Sequence, residues 1–166
     1  MKGSKNMENF FDHMEEHEDV NMIKLEVNID DISSEWLGYT MDKLLKEGAN
    51  DVFYVPIFMK KNRPAYMMQV LCDQKILENI KRIIFEETTT LGIRYYPVTV
   101  HRLGRRFVER KTPWGVVKIK QGIYNGQIVQ ESPEYEDCKN IADRHQIPLK
   151  KIYDYVWKKG YKGKET

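Results

Sequence analysis

Between residues 22 and 102 the apolar positions switch between a period of two and a helical period, and the order of those switches limits the fold. In "MIKLEVNID" Ile23, Leu25, Val27 and Ile29 alternate with polar residues, which predicts a strand with one buried face. Ser33 or Ser34 then offers an N-cap, and Leu37, Met41, Leu44 and Leu45 recur at helical spacing until Gly48 supplies a stop. "DVFYVPIFM" and "PAYMMQVLC" read as two further strands, joined through the polar residues 60–64. Asp73 caps a second helix in "QKILENIKRIIFEETT", where Ile76, Leu77, Ile80, Ile83 and Ile84 form the apolar stripe and Glu78 is spaced to pair with Arg82. "GIRYYPVTVHR" is the fourth strand, and Pro97 marks an edge or a bulge in it. The order β-α-β-β-α-β predicts an α+β, ferredoxin-like sheet with two helices on one face.

Beyond residue 102 the pattern changes. "RRFVERKTPWGVVKIKQG" alternates on both sides of Thr112, Pro113, Trp114 and Gly115, as a β-hairpin does, and "GQIVQE" reads as a short strand. Ser132 before Pro133 signals a helix start, with Tyr135, Cys138, Ile141 and Ala142 inward. Pro148 opens a last helix with Leu149, Ile152, Tyr153 and Val156 inward, which Gly160 would close. The expected organisation is an acidic tail or linker over 1–21, the ferredoxin-like domain over 22–102, a C-terminal β-hairpin and helical-pair extension over 103–160, and a tail over 161–166.

Composition excludes several classes. With 41% hydrophobic and 31% charged residues in 166, the chain is a soluble globular type, large enough for one domain with an appendage. No apolar run approaches the roughly 20 residues of a membrane span, and the start lacks a signal peptide's apolar core, so a cytoplasmic location is expected. Cys72 and Cys138 are far apart and form no CxxC pair, which reads as two small core residues and not a thiolate metal site. The net charge of +2 hides a polarity: residues 1–22 carry six acids against two lysines, while residues 100–120 carry seven Lys or Arg against Glu109. Such a basic stretch favours polyanions, either nucleotide phosphates or nucleic acid.

Asp30 and Asp31 end the first strand immediately before the helix cap. Adjacent strand residues point to opposite faces, so both meet one hard divalent ion only if the backbone turns there; otherwise one of them caps the helix. Lys60, Lys61 and Arg63 gather three cations on one connection, enough for an oligophosphate or for a merely solvated turn. "FEETTTLGIR" supplies Thr88, Thr89, Thr90 and Arg94 for a phosphate or ribose, or simply ends a helix. Arg105, Arg106, Arg110 and Lys111 with Phe107 and Trp114 would suit nucleic acid, but no RRM or KH signature accompanies them. His13 and His17 lie four apart, a spacing that binds a transition metal only on a helix.

Taken together, "LEVNIDDISSEWLGYTMDKLLKEGANDVFYVPIFMKKNRP", "FEETTTLGIR", "TPWGVVKIK" and "ESPEYEDCKNIADRHQIPLKKIY" resemble the C-terminal part of the LarC proteins, nickel-inserting enzymes of the lactate racemase cofactor pathway. The resemblance implies a CTP-dependent nickel chelatase, lyase-type, that inserts Ni2+ into pyridinium bisthiocarboxylate mononucleotide to give the nickel-pincer nucleotide. It also implies that this region binds CTP with Mn2+ or Mg2+. By motif, Asp30 and Asp31 are then the metal-side acids, and Lys60, Lys61, Arg63, Thr88, Thr89, Thr90 and Arg94 the nucleotide contacts. Family members usually carry a large N-terminal domain and a histidine-rich stretch, whereas here only the short acidic segment with His13 and His17 precedes the resemblance. The N-terminal domain is therefore an expected partner, covalent or separate, and a homo-oligomer is expected as well. The alternative from another class is a non-catalytic regulatory module that binds a nucleotide or effector on the same fold.

Overall fold

The computed structural model describes residues 15–161, so His13 and residues 162–166 of the tail expected over 161–166 lie outside the described residues, while Tyr161 is helical. The described residues divide into two compact units, Glu18–Val100 and a second built from residues 101–161 with residues 15–17.

The first unit runs β1 (His17–Ile29), α1 (Ser34–Glu47), β2 (Asp51–Met59), β3 (Arg63–Asp73), α2 (Leu77–Glu87) and β4 (Arg94–Arg102). Its sheet has the order β2-β3-β1-β4, the one a split βαβ pattern requires. β3 runs antiparallel to both β1 and β2, with Leu25 opposite Val70, Val27 opposite Met68 and Val52 opposite Val70. These apolar positions share one face and are covered by Leu37 and Leu44 of α1 and Ile80, Ile83 and Ile84 of α2. Each side chain so buried contributes about 1.5–3 kcal/mol.

Local chemistry sets the limits of these elements. Ser33 caps α1 by accepting from the backbone N–H of Trp36 at 3.3 Å. Gly48 ends it at φ 106°, a left-handed conformation that a side chain resists. Pro56 lies on β2 and Pro97 on β4, the two edge strands, where a missing N–H breaks no interior ladder. Met59 pairs with Arg63, so β2 and β3 join through Lys60, Lys61 and Asn62 alone. Lys61 (φ 62°) and Asn62 (φ 57°) are both left-handed, a conformation unusual and strained for lysine.

Four expectations are corrected. β1 starts at His17, five residues ahead of the alternating stretch, and its ladder to β3 begins at Met22. Residues 17–21, read from the sequence as tail, are thus strand, because backbone pairing needs no apolar pattern. Glu78 pairs with Lys81 at 2.9 Å and Arg82 with Glu86 at 3.1 Å, so the expected Glu78–Arg82 pair is replaced by two others. Gly160 lies inside its helix, which continues to Tyr161. Pro133 is the last residue of a strand, opposite Ile119, and the helix it was expected to open begins at Tyr135.

The second unit holds β5 (Gly104–Thr112), β6 (Gly115–Tyr124), β7 (Gln127–Pro133), α3 (Tyr135–His145) and α4 (Leu149–Tyr161). The three strands form an antiparallel sheet in sequence order. Asn125 (φ 49°) and Gly126 (φ 73°) make the tight turn between β6 and β7. This sheet has its own core, in which Val117 and Ile119 meet Cys138, Ile141, Ala142, Ile152 and Val156. Arg110 ties β5 to α4 by donating to the Val156 carbonyl at 3.0 Å, and pairs with Glu131 at 3.3 Å.

Candidate functional site

In the first unit, β1 and β2 end on the side of the sheet where β3 and β4 begin. The end of β1, the β2–β3 connection and the α2–β4 connection therefore share one rim, and the nine residues singled out in the sequence all stand on it. Asp30 pairs with Arg63, Oδ2 to Nη1 at 3.2 Å. Asp31 accepts a short hydrogen bond from the Thr89 hydroxyl. Both acids lie in the bend just past the end of β1, where the backbone turns, and they take different partners, that of Asp30 on β3 and that of Asp31 at the end of α2.

The other members differ in how free they are. Lys60 and Lys61 are exposed and form no ion pair with any described residue, on a connection whose backbone is strained. Strained backbone of this kind persists only where the surrounding structure holds it, and it clusters at ligand-binding segments. Thr88 is 9% exposed and its hydroxyl donates to the Ile84 carbonyl at 2.7 Å, so it closes α2. The Thr90 hydroxyl donates to the Gly92 carbonyl at 3.0 Å and shapes the loop into β4. Arg94 turns along the sheet, donating from Nη2 to Asn28 Oδ1 at 2.9 Å and facing Glu26 Oε2 from Nε at 3.8 Å. Lys43 and Glu87 join α1 to α2 behind the rim, and the buried Thr40 hydroxyl donates to the Glu87 carbonyl at 3.2 Å.

Among the described residues no cluster of three or more His, Cys, Asp or Glu could hold a metal by itself. Two carboxylates with nearby hydroxyls fit a hard ion that takes its remaining ligands from phosphates and water, as Mg2+ commonly does. They do not fit a protein-only cage of imidazole or thiolate ligands. Both thiols lie in the cores, where burial pushes the Cys72 thiol up to about 11 and raises Cys138 as well. Glu26, Asn28 and Tyr96 were missed in the sequence; the one signal for Glu26 and Asn28 was the polar half of the β1 alternation, which reads as ordinary solvent-facing strand, and Tyr96 of β4 had no comparable signal.

No helix among the described residues is long and apolar enough to cross a membrane. A family model described as nickel insertion protein matches residues 3–153. The chain is 40% identical over 137 residues to the pyridinium-3,5-bisthiocarboxylic acid mononucleotide nickel insertion protein of Thermotoga petrophila, covering 82% of this chain and 34% of that protein. To a putative nickel insertion protein of Dictyoglomus thermophilum it is 48% identical over 130 residues, covering 78% of this chain and 33% of that one. It thus spans about a third of the length of these curated relatives. Among solved structures it is similar to "LarC2, the C-terminal domain of a cyclometallase involved in the synthesis of the NPN cofactor of lactate racemase, apo form", with TM-score 0.79, 36% identity and coverage of 86% and 96%. A Methanopyrus kandleri protein shares the fold at TM-score 0.63 and 24% identity, over 84% of this chain and 86% of that one.

Proposed function

We propose, since the chain belongs to the nickel insertion protein family, that it is the part of a nickel-inserting cyclometallase that binds CTP with a divalent ion. The observation that carries this reading is the rim itself, which gathers two carboxylates, Asp30 paired with Arg63 and Asp31 with the Thr89 hydroxyl, and the exposed Lys60 and Lys61, which have no ion-pair partner among the described residues. A triphosphate needs both signs of charge around it: cations against its oxygens and acids against an ion bound to it.

Within this reading Lys60 and Lys61 neutralise the distal phosphates, and Arg63, oriented by Asp30, forks across two phosphate oxygens. Asp30 and Asp31 would hold Mg2+ or Mn2+, and the Thr89 hydroxyl, now on Asp31, lies beside that position. The bound ion would offset the triphosphate's charge and orient its oxygens. Nickel is cargo here and not a resident ion, and the described residues offer no cluster that could hold it. Nickel delivery and the pyridinium mononucleotide are therefore assigned to the remaining two-thirds of the longer relatives. Occupancy or cleavage of the nucleotide on this domain would then be coupled to insertion.

Calorimetric titration with CTP, ATP and GTP, each with and without Mn2+, tests the assignment. Ion-dependent binding that prefers CTP and is lost in Asp31→Asn is expected. Failure of the folded chain to bind any nucleotide would sink it.

A further inference from the structure

The end of α2 is built differently from the end of α1. Its C-cap, Thr88, is extended at φ −135° and ψ 169°, where α1 stops on a left-handed glycine. Its last turn holds Glu86 and Glu87 and no basic residue. The last carbonyls of a helix have no partner within it and carry partial negative charge, which acids at that end aggravate. Side chains supply what is missing. Arg82 pairs with Glu86 at 3.1 Å, and Lys43 of α1 pairs with Glu87. The Thr88 hydroxyl donates to the Ile84 carbonyl at 2.7 Å, and the fully buried Thr40 hydroxyl of α1 donates to the Glu87 carbonyl at 3.2 Å.

The Thr40 hydroxyl has one proton and two acceptors. The Trp36 carbonyl, four residues back at 3.0 Å, is the ordinary resort of a threonine inside a helix. The Glu87 carbonyl is not, since it joins α1 to the end of another helix. That carbonyl belongs to the peptide between Glu87 and Thr88, immediately ahead of Thr89. Thr88 in turn accepts from the Thr90 N–H at 3.3 Å, and the Thr90 hydroxyl donates to the Gly92 carbonyl at 3.0 Å. Between these two held residues stands Thr89, whose hydroxyl reaches Asp31. A hydrogen bond weakens steeply once its angle departs from linear, so this contact depends on where the peptide after Glu87 is fixed.

We propose that Thr40 is a positioning residue: by holding the last carbonyl of α2 it sets the place of Thr89 and, through the Thr89 hydroxyl, the orientation of Asp31 toward a divalent ion. Lys43 supports the same junction through Glu87. The inference rests on the reading of the rim as an ion and triphosphate site, and it extends that site to a buried side chain that touches neither ion nor phosphate.

The test measures CTP affinity with Mn2+ and in EDTA by calorimetry, the ratio of the two being the gain due to the ion. Thr40→Val keeps the shape and removes the hydroxyl, Thr40→Ala removes it without risk of overpacking, and Thr40→Ser keeps it. Thr40→Val and Thr40→Ala are expected to lower the gain by about threefold to tenfold, the worth of one hydrogen bond, with affinity in EDTA unchanged. Thr40→Ser should keep the wild-type gain. If Thr40 acts through Thr89, Thr40→Val lowers the gain no further in a chain that already carries Thr89→Val. Amide exchange at residues 88–90 should quicken in Thr40→Val by more than at Leu25 and Val70 of the sheet, which separates a local displacement from a general loss of stability. An unchanged gain in folded Thr40→Val and Thr40→Ala, or an effect that simply adds to that of Thr89→Val, overturns the inference alone. No gain from the ion in wild type overturns it together with the rim reading.

Discussion

Replacing Asp30 with asparagine removes one charge where opposite charges meet, and its effect on CTP binding is expected to change sign with the divalent ion. Without an ion, the carboxylate repels the triphosphate and occupies Arg63 at 3.2 Å. Unit charges about 4 Å apart interact by about 1 kcal/mol in a water-like medium and about 4 kcal/mol at an effective dielectric of about 20. The side chains of Asp30 and Arg63 are 22% and 54% exposed, which places the pair toward the screened limit. Asp30→Asn is therefore expected to tighten CTP binding in EDTA by about 1–2 kcal/mol, roughly five- to thirtyfold. With Mn2+ the lost carboxylate faces a charge of two, so the same reasoning gives a weakening of about 2–4 kcal/mol. Calorimetry in EDTA and in Mn2+, at matched ionic strength well below about 0.1 M to limit screening, reads both effects. A shift in the same direction under both conditions would refute a metal-side role for Asp30.

Three further outcomes are expected. The double variant Lys60→Ala with Lys61→Ala breaks no ion pair among the described residues, so thermal unfolding should move by no more than about 0.5 kcal/mol while CTP affinity falls by about tenfold or more. Gly48→Ala places a Cβ at φ 106° and is expected to cost about 1 kcal/mol in denaturant unfolding, with nucleotide binding unchanged. The backbone N–H of Asn125 holds Glu16 below the usual 4.5, so its stabilising effect exists above that value and is lost as the pH falls through the lowered one. The stability gap between wild type and Glu16→Gln should accordingly be present at pH 7 and close under acid conditions, read by thermal melts across the range.

The parts of the fold that were legible in the sequence are those decided within a few residues. α1 has its expected limits because a serine hydroxyl and a left-handed glycine act locally. The order of strands and helices followed from periodicity, and that order alone brings Asp30, Asp31, residues 60–63 and Thr89 to one rim. Two of the failures depended on distant partners. The early start of β1 is set by its sheet neighbours, and Pro133 continues a strand because Ile119 of β6 lies opposite it. The same holds at the site. Arg94 meets Asn28 across 66 positions and Tyr96 meets Glu26 across 70, separations that leave no local signature. The sequence identified Arg94 as a cation near a loop and gave no indication of where its guanidinium would go.

The prolines on the two outer strands of the first sheet bear on how the molecule meets other chains. A foreign strand added along β2 or β4 would meet a position with no amide hydrogen to offer, at Pro56 on one side and Pro97 on the other. Sheet extension, the usual route from crowded half-folded chains to aggregates, is therefore discouraged at both margins. Whatever docks on this unit gains more from its helices, its rim or its open face than from backbone pairing.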